Sequence, residues 1–250
     1  MILLIDIGNT RVKWALQDGD DWVSGKPLLR GSKPFKDIAR PAWKELETPE
    51  RVIVSNVAGA AFEKSVCTWI KRRWKITPEF LHSQAEQCGV TNAYAKPERL
   101  GNDRWATLIA AHAQCRGAAV ILSCGTAITI DALSADGRHL GGLIAPGIEL
   151  MISSIQTRAA DVTIEEDDPG DISLLASSTE SAVLGGSLYA AVSLLDRVSA
   201  DLRHELGKDV SLLLTGGDAE RLMPLLEVQP EFEAELVLKG LAVVAKETAV

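Results

Sequence analysis

The sequence predicts an α/β protein made of two similar halves, and two features of the chain predict it. Residues 2–16 and 118–132 share one pattern: a buried strand, a short turn containing Gly and Thr, and a second strand with alternating apolar positions. Segments with the periodicity of helices follow both hairpins. We therefore expect one half over residues 1–116 and the other over residues 117–250.

The first hairpin begins with the apolar run Ile2–Ile5, which predicts a buried strand that ends at Asp6. Val12, Trp14 and Leu16 then alternate with less apolar residues, as expected for a second strand. The other elements expected in this half are strands near residues 22–23, 51–55 and 80–82 and helices over residues 34–46, 58–74 and 105–115.

The second hairpin consists of a strand over residues 118–122, the turn Ser123–Thr126 and a strand over residues 127–132. A later buried strand, over residues 210–214, ends in the Gly-rich turn Thr215–Asp218. We also expect a strand over residues 139–144 and three helices, which begin at Pro146-Gly147, span residues 180–206 with an interruption at Gly185-Gly186, and span residues 236–246.

The composition is that of an ordinary globular protein, with 46% apolar residues, 24% charged residues and a net charge of −8. The longest uncharged runs, residues 117–130 and 181–195, are shorter than the roughly 18 apolar residues of a membrane-spanning helix, and no basic leader precedes the first strand. The four cysteines show no CxxC spacing, so common zinc sites and disulfide frameworks are not expected. We expect a cytoplasmic protein with no membrane partner and, because its charge is acidic, no nucleic-acid partner.

Three turns that end apolar strands carry the polar residues of interest: Asp6–Thr10, Ser123–Thr126 and Thr215–Asp218. Glycine allows close backbone approach, and successive N–H groups in such turns form concave sites for anions. The Asp6 carboxylate is a suitable ligand for Mg²⁺, and Lys13 could reach a phosphate. The pattern favours phosphate binding over the alternative of three tight turns without a ligand.

A further candidate site lies at Asp103 and Arg104, at the start of an expected helix. The Asp103 carboxylate could accept the proton of an attacking hydroxyl, as phosphoryl transfer requires, or could simply cap the helix. The planar fork of Arg104 could bind a substrate carboxylate or form a surface ion pair.

The chain contains neither the GxxxxGK[ST] loop nor the GxGxxG fingerprint. Its paired hairpin turns with a later Gly-Gly turn instead resemble the duplicated ATPase core of sugar kinases, acetate kinase, actin and chaperone ATPase domains. This resemblance implies two ribonuclease H-like (actin-like ATPase) domains with a nucleotide cleft between them.

Five motifs in order make the resemblance more specific, and the chain looks like a type III pantothenate kinase, a family also labelled Bvg accessory factor-like. The motifs are Asp6-Ile7-Gly8-Asn9-Thr10, Gly101-Asn102-Asp103-Arg104, Gly125-Thr126-Ala127 with Asp131, the segment 141–147 and Thr215-Gly216-Gly217. The family implies ATP-dependent phosphorylation of pantothenate to 4′-phosphopantothenate, the first step of coenzyme A biosynthesis, by a homodimer.

The resemblance also implies roles for individual residues. Asp103 would be the proton acceptor, Asp6 would hold the metal ion, and Thr126 would contact ATP. The residues implied to bind ATP with Mg²⁺ in the first turn are Asp6, Ile7, Gly8, Asn9, Thr10, Arg11, Val12 and Lys13. Those implied to bind pantothenate are Tyr94, Gly101, Asn102, Asp103 and Arg104, together with Thr179 of the partner subunit.

The sequence departs from the family pattern at Ser123, where the second turn usually carries an Asp associated with a monovalent cation. A neutral hydroxyl replaces that charge, which puts a requirement for K⁺ or NH₄⁺ in doubt. Two alternatives to a kinase remain open: a phosphatase on the same core and a non-catalytic ATP-binding regulator of the accessory-factor type.

Overall fold

The computed structural model describes residues 1–158, 175–207 and 209–248. The chain forms two compact units. The first contains Met1–Arg116, Gly137–His139 and Glu235–Val250, and the second contains Gly117–Asp136 and Leu140–Ala234. The predicted boundary after residue 116 coincides with a boundary of the first unit, but two later stretches of the chain also pack with that unit. The assignment of residues 117–250 to one half therefore does not describe these compact units.

The strands in chain order are β1 (Ile2–Ile7), β2 (Arg11–Asp18), β3 (Asp21–Ser24), β4 (Leu28–Leu29), β5 (Arg51–Asn56), β6 (Glu79–Phe80), β7 (Glu86–Gln87), β8 (Val90–Thr91), β9 (Ala119–Cys124), β10 (Ala127–Leu133), β11 (His139–Pro146), β12 (Ser211–Thr215) and β13 (Glu231–Phe232). The helices are α1 (Phe35–Ala42), α2 (Ala60–Trp74), α3 (Asn102–Gln114), α4 (Ile148–Arg158), α5 (Thr179–Leu206), α6 (Ala219–Leu222) and α7 (Leu236–Glu247). Short 3₁₀ turns cover Pro97–Arg99 and Met223–Leu225.

The sheet of the first unit has the strand order β3-β2-β1-β5-β6, with β4 paired to β2. β1 is antiparallel to β2 and parallel to β5, and β5 is parallel to β6. Because side chains alternate between the two faces of a strand, Leu3, Ile5 and Ile7 share one face. They pack there in one buried cluster with residues of α1 and α2.

The same unit is completed by α3 and α7, which pack against each other. A Cβ on Gly240 of α7 would lie 2.0 Å from the carbonyl oxygen of Ala106 in α3, so the two backbones meet where no side chain fits. The start of α7 is fixed by Glu235, whose carboxylate accepts hydrogen bonds from the Trp22 indole and the Ser24 hydroxyl, both at 2.8 Å. The last helix of the chain therefore belongs to the fold of the first unit.

The sheet of the second unit has the order β11-β10-β9-β12-β13. β9 and β10 form the antiparallel hairpin, and β12 and β13 extend the sheet in parallel. Side chains on one face of β9, β10 and β12 form a buried cluster with α4, α5 and α6. The two sheets thus repeat one arrangement, an antiparallel hairpin followed by parallel strands, which agrees with the predicted α/β fold of two ribonuclease H-like domains.

One expectation about the elements was wrong, and one hairpin was not expected at all. The glycine pair Gly185-Gly186 does not interrupt α5, which runs without a break from Thr179 to Leu206. Each glycine costs a helix only about 1 kcal/mol, and burial of Leu188, Ala191 and Leu195 on the same helix outweighs that cost. The hairpin β7–β8 was not expected, because its strands are two residues each and carry no apolar run.

In the part of the chain that the structure describes, none of the helices has the length and apolar character of a membrane-spanning segment.

Candidate functional site

The turn between β1 and β2 places a carboxylate and an ammonium group side by side. Asp6 of β1 is the register partner of Lys13 in β2 and, on its other side, of Ser55 in β5. The Gly8 amide donates to the Arg11 carbonyl oxygen at 3.0 Å, which closes the turn, and Asn9, Thr10 and Arg11 are exposed. The predicted phosphate turn is therefore a tight and solvent-accessible loop.

The pKa of the Asp6 carboxyl depends on its burial and on the charge of Asp103, another predicted site residue. Burial raises the pKa of Asp6 from its ordinary value to about 7, and the negative charge of Asp103 contributes further to the rise. The positive charge of Lys13 and the Ser55 hydroxyl lower it. Lys13 and Asp103, which were singled out in two different parts of the chain, thus both lie close enough to Asp6 to affect its pKa.

The shifted pKa of Asp6 predicts a pH dependence of stability in the protein without metal and nucleotide. Between about pH 4 and pH 7 the folded chain holds a proton on Asp6 that the unfolded chain has released, so the free energy of unfolding should fall as pH rises, by up to about 1.4 kcal/mol per pH unit. Asp6→Asn should remove this part of the dependence. Urea unfolding of both proteins in EDTA at a series of pH values measures it, and parallel curves would contradict the shift.

Asp6 also fits the role of a metal ligand. Its Oδ1 is buried and has no hydrogen-bond partner among the described residues. A buried carboxylate oxygen without a donor is a suitable ligand for a hard cation. No cluster of three His, Cys, Asp or Glu side chains is found in the described ranges. This is compatible with Mg²⁺, which commonly takes one or two carboxylates together with substrate phosphates and water.

Arg30 braces the first turn, and sequence reasoning missed it. Its guanidinium Nη1 donates to the Asn9 carbonyl oxygen at 2.5 Å, and its backbone N–H donates to the Thr10 carbonyl oxygen at 2.9 Å. The guanidinium carbon also lies 4.7 Å from the centroid of the Phe62 ring. An arginine 20 residues from the turn, outside any motif, gave no sequence signal of this contact.

The segment Gly101–Arg104 forms the start of α3. Asn102 ties this segment to the end of β5, because its side-chain amide donates to the Asn56 carbonyl oxygen at 3.2 Å and its Oδ1 accepts from the Ser83 N–H at 3.0 Å. A Cβ on Gly101 would lie 2.6 Å from Oδ1 of Asp103, so this position leaves no room for a side chain unless Asp103 moves.

Two alternatives for this segment were wrong. Asp103 is not the helix cap: Gly101 occupies that position and Asp103 lies in the first turn, where its Oδ1 accepts from the Arg104 N–H at 2.8 Å. Arg104 does not lie at the surface either, since it is only 5% exposed and its Nη1 donates to the Tyr94 hydroxyl at 3.0 Å. Tyr94 and Arg104, both predicted as substrate-binding residues, are therefore in direct contact.

The second hairpin turn lies in the second unit and meets two other motifs. The Gly147 N–H donates to the Thr126 carbonyl oxygen at 3.0 Å, and the Asp218 N–H donates to the Cys124 carbonyl oxygen at 3.0 Å. A Cβ on Gly147 would lie 2.0 Å from the Gly125 carbonyl oxygen, so the start of α4 can approach this closely only with glycine. The motifs at 123–126, 146–147 and 215–218 thus converge on one turn.

Ser123, the departure from the family pattern, lies in a row of hydroxyl residues. Its register partners are Thr129 in β10 and Thr215 in β12. The neighbouring Cys124 is fully buried, and burial, with a smaller effect of Asp218, raises the pKa of its thiol to about 12. Cys124 is therefore a packing residue of the core, as its apolar surroundings favour.

Thr179 is the first residue of α5, also in the second unit, and it is exposed. The cap of this helix is Ser178, whose hydroxyl accepts from the Ser181 N–H at 3.2 Å. Thr179 is therefore not the cap of this helix, and its side chain is accessible.

Comparison with known proteins identifies the family. The model of the type III pantothenate kinase family matches residues 2–201. The chain belongs to the type III pantothenate kinase family. It is 44% identical to the type III pantothenate kinase of Nitrosococcus oceani over all of this chain and 95% of that protein, and 37% identical to the one of Nitrosospira multiformis over all of this chain and 92% of that protein.

Solved structures support the fold of this pantothenate kinase family member. An activator of 2-hydroxyisocaproyl-CoA dehydratase from Clostridium difficile, with bound ADPNP, is 12% identical, with a TM-score of 0.55 over 98% of this chain and 94% of that one. A glucokinase from an Antarctic psychrotroph is 13% identical, with a TM-score of 0.51 over 99% of both chains. The predicted family, kinase class and fold are thereby confirmed.

Proposed function

We propose that this chain transfers the γ-phosphoryl group of ATP to the primary hydroxyl of pantothenate, which forms 4′-phosphopantothenate in the first step of coenzyme A biosynthesis. The observation that carries this proposal, beyond the family itself, is that Lys13, the register partner of Asp6, and Asp103 both lie close enough to Asp6 to affect its pKa. A carboxylate for a metal ion, a cation for phosphate and a second carboxylate for the attacking hydroxyl are the groups that phosphoryl transfer uses.

Asp103 orients the pantothenate hydroxyl for in-line attack and accepts its proton. Its Oδ1 is fixed by the Arg104 N–H, and Gly101 leaves space beside it. Phosphoryl transfer needs no covalent intermediate with the protein. Most of the rate enhancement therefore comes from positioning of the reactants and from stabilisation of charge.

The first turn, Asp6–Lys13, holds the phosphates of ATP. The backbone N–H groups of its exposed residues Asn9, Thr10 and Arg11 and the Lys13 ammonium would supply the positive potential. Asp6 would hold Mg²⁺, which neutralises negative charge on the phosphates when it is bound. Thr126, on the second Gly turn, is proposed as a further contact to ATP. The hydroxyl row of Ser123, Thr129 and Thr215 carries no charge, which argues against a strict need for K⁺ or NH₄⁺.

Arg104 and Tyr94 bind pantothenate. The guanidinium of Arg104 is a planar donor that suits the carboxylate of pantothenate, and its bond to the Tyr94 hydroxyl fixes its orientation. We further propose a cytoplasmic homodimer in which Thr179 of the partner subunit completes the substrate site.

Arg104→Lys tests the role of the guanidinium. It should raise the KM for pantothenate about tenfold or more and leave the KM for ATP nearly unchanged, because an ammonium group cannot form the planar, two-pronged contact. Arg99→Lys, at an exposed position five residues earlier, is the matched control and should behave like the unchanged protein. Equal KM values for pantothenate in the two variants would remove Arg104 from the site.

A coupled assay with ATP, pantothenate and Mg²⁺, with and without K⁺, tests the function as a whole. Pantothenate-dependent ADP release with formation of 4′-phosphopantothenate is the expected result. Phosphate release without pantothenate would favour a phosphatase, and calorimetric binding of ATP without turnover would favour a non-catalytic regulator. Comparison of the two salt conditions shows whether the neutral Ser123 has removed the cation requirement.

A further inference from the structure

The segment Gly137–His139, which ends at the first residue of β11, packs with the first unit, although the residues on either side of it belong to the second. The Thr91 N–H donates to the Gly137 carbonyl oxygen at 2.9 Å, and Thr91 and Arg138 form a parallel bridge. Gly137 has a φ of +83°, and a Cβ there would lie 2.2 Å from the Gly89 carbonyl oxygen. Only glycine allows this approach, so the segment is fixed on the hairpin β7–β8.

This attachment brings His139 against Tyr94. The two rings lie 6.1 Å apart between centroids with 19° between their planes, and His139 is only 3% exposed. Tyr94 is held at two other points: its N–H donates to Oδ1 of Asn92 at 2.9 Å, and its hydroxyl accepts from Nη1 of Arg104 at 3.0 Å. The imidazole therefore covers a ring whose hydroxyl is engaged by the buried guanidinium.

We propose that His139 is a positioning residue for the pantothenate site, which acts through Tyr94 on Arg104. A flat ring stacked on Tyr94 restricts rotation of the phenol, and the phenol oxygen in turn fixes the direction of the guanidinium. This inference rests on the proposed function, because Tyr94 and Arg104 bind pantothenate in that proposal. The proposal adds His139 to the site, a residue that lies in the sequence between the motif Gly125-Thr126 and the segment 141–147.

The position of His139 predicts a specific effect on the KM for pantothenate. Because the His139 ring lies against Tyr94, its loss should disturb binding of pantothenate more than binding of ATP. A displaced carboxylate-binding group weakens substrate affinity in the ground state and in the transition state alike, which raises KM more than it lowers kcat.

Kinetics of His139→Ala test the proposal. The KM for pantothenate should rise about tenfold, with the KM for ATP within about twofold of the unchanged protein. His139→Phe keeps a flat ring and should recover most of the lost affinity, whereas His139→Leu fills similar space without a ring to stack and should resemble His139→Ala. His204→Ala, at an exposed position of α5, is the control for a histidine lost elsewhere.

A structural role in folding alone predicts a different result. The inference would be overturned if His139→Ala raised the KM for ATP as much as the KM for pantothenate and also lowered the thermal stability. It would also be overturned if the KM for pantothenate in His139→Ala stayed within twofold of the unchanged protein. If His139→Ala does not fold, His139→Leu against His139→Phe gives the same comparison. In a Tyr94→Leu background, His139→Leu should add no further change, and a full additional effect would show that His139 does not act through Tyr94.

Activity of the unchanged protein distinguishes failure of the positioning role from failure of the proposed function. If it phosphorylates pantothenate while His139→Ala keeps its KM, only the positioning role fails. If it does not phosphorylate pantothenate, the proposed function fails, and the positioning role fails with it.

Discussion

Asp103→Asn should reduce kcat by about 10²- to 10⁴-fold or more while binding of ATP survives, because an amide cannot accept the proton of the pantothenate hydroxyl. The substitution keeps the shape of the side chain, and its Oδ1 can still accept from the Arg104 N–H as Asp103 does at 2.8 Å. The start of α3 should therefore keep its geometry, so that lost activity reports on chemistry. Rapid-quench kinetics for turnover and calorimetry for ATP measure the two effects.

The same variant has a second readout. The charge of Asp103 helps to raise the pKa of Asp6, so its removal should lower that pKa toward its ordinary value. Asp20→Asn, at an exposed position in the turn before β3, removes one carboxylate elsewhere and is the control. Full activity in Asp103→Asn would take this residue out of the mechanism, and an unchanged Asp6 pKa would separate the two carboxylates.

Gly240→Ala should destabilise the protein by about 2 kcal/mol, in spite of the higher helix propensity of alanine. The new Cβ would lie 2.0 Å from the oxygen and 2.6 Å from the carbon of the Ala106 carbonyl, both backbone atoms that move only if α3 moves. Because α3 begins at Asn102 and carries Asp103 and Arg104 in its first turn, turnover should also fall.

Gly186→Ala, on α5, is the matched control. A Cβ there would meet no atom within 4 Å, so alanine should gain up to about 1 kcal/mol from helix propensity. Urea midpoints of the two variants against the unchanged protein measure the contrast. A Gly240→Ala variant as stable as Gly186→Ala would show that the close approach of α3 and α7 can relax.

The parts of the fold that could be predicted from the sequence are those specified by neighbours in the chain. Both hairpins were predicted because alternation and Gly-Thr turns lie within 15 residues. The return of α7 to the first unit was not, because it depends on Gly240 and Glu235 meeting residues far away in sequence. The short strands β7 and β8 lack any apolar run, so no periodicity could indicate them.

The candidate site divides in the same way. Asp6, Lys13 and Asp103 were singled out by motif and residue chemistry, but their closeness could come only from the structure. The burial of Arg104 against Tyr94 excluded the surface position, one of the two alternatives for Arg104, and the sequence alone could not show which partner this arginine has. Arg30 and His139 belong to no motif, and only tertiary contacts reveal them.

The return of α7 to the first unit has a consequence for synthesis of the chain. Translation delivers residues 1–116 first, yet the helix that packs on α3 is made of residues 236–247, after nearly all of the second unit. Trp105, Leu108 and Ile109, all buried in the finished protein, lie on the helix that waits for this partner. The packing of α3 in the first unit is therefore complete only after residues 236–247, which follow the second unit in the chain, have been synthesised.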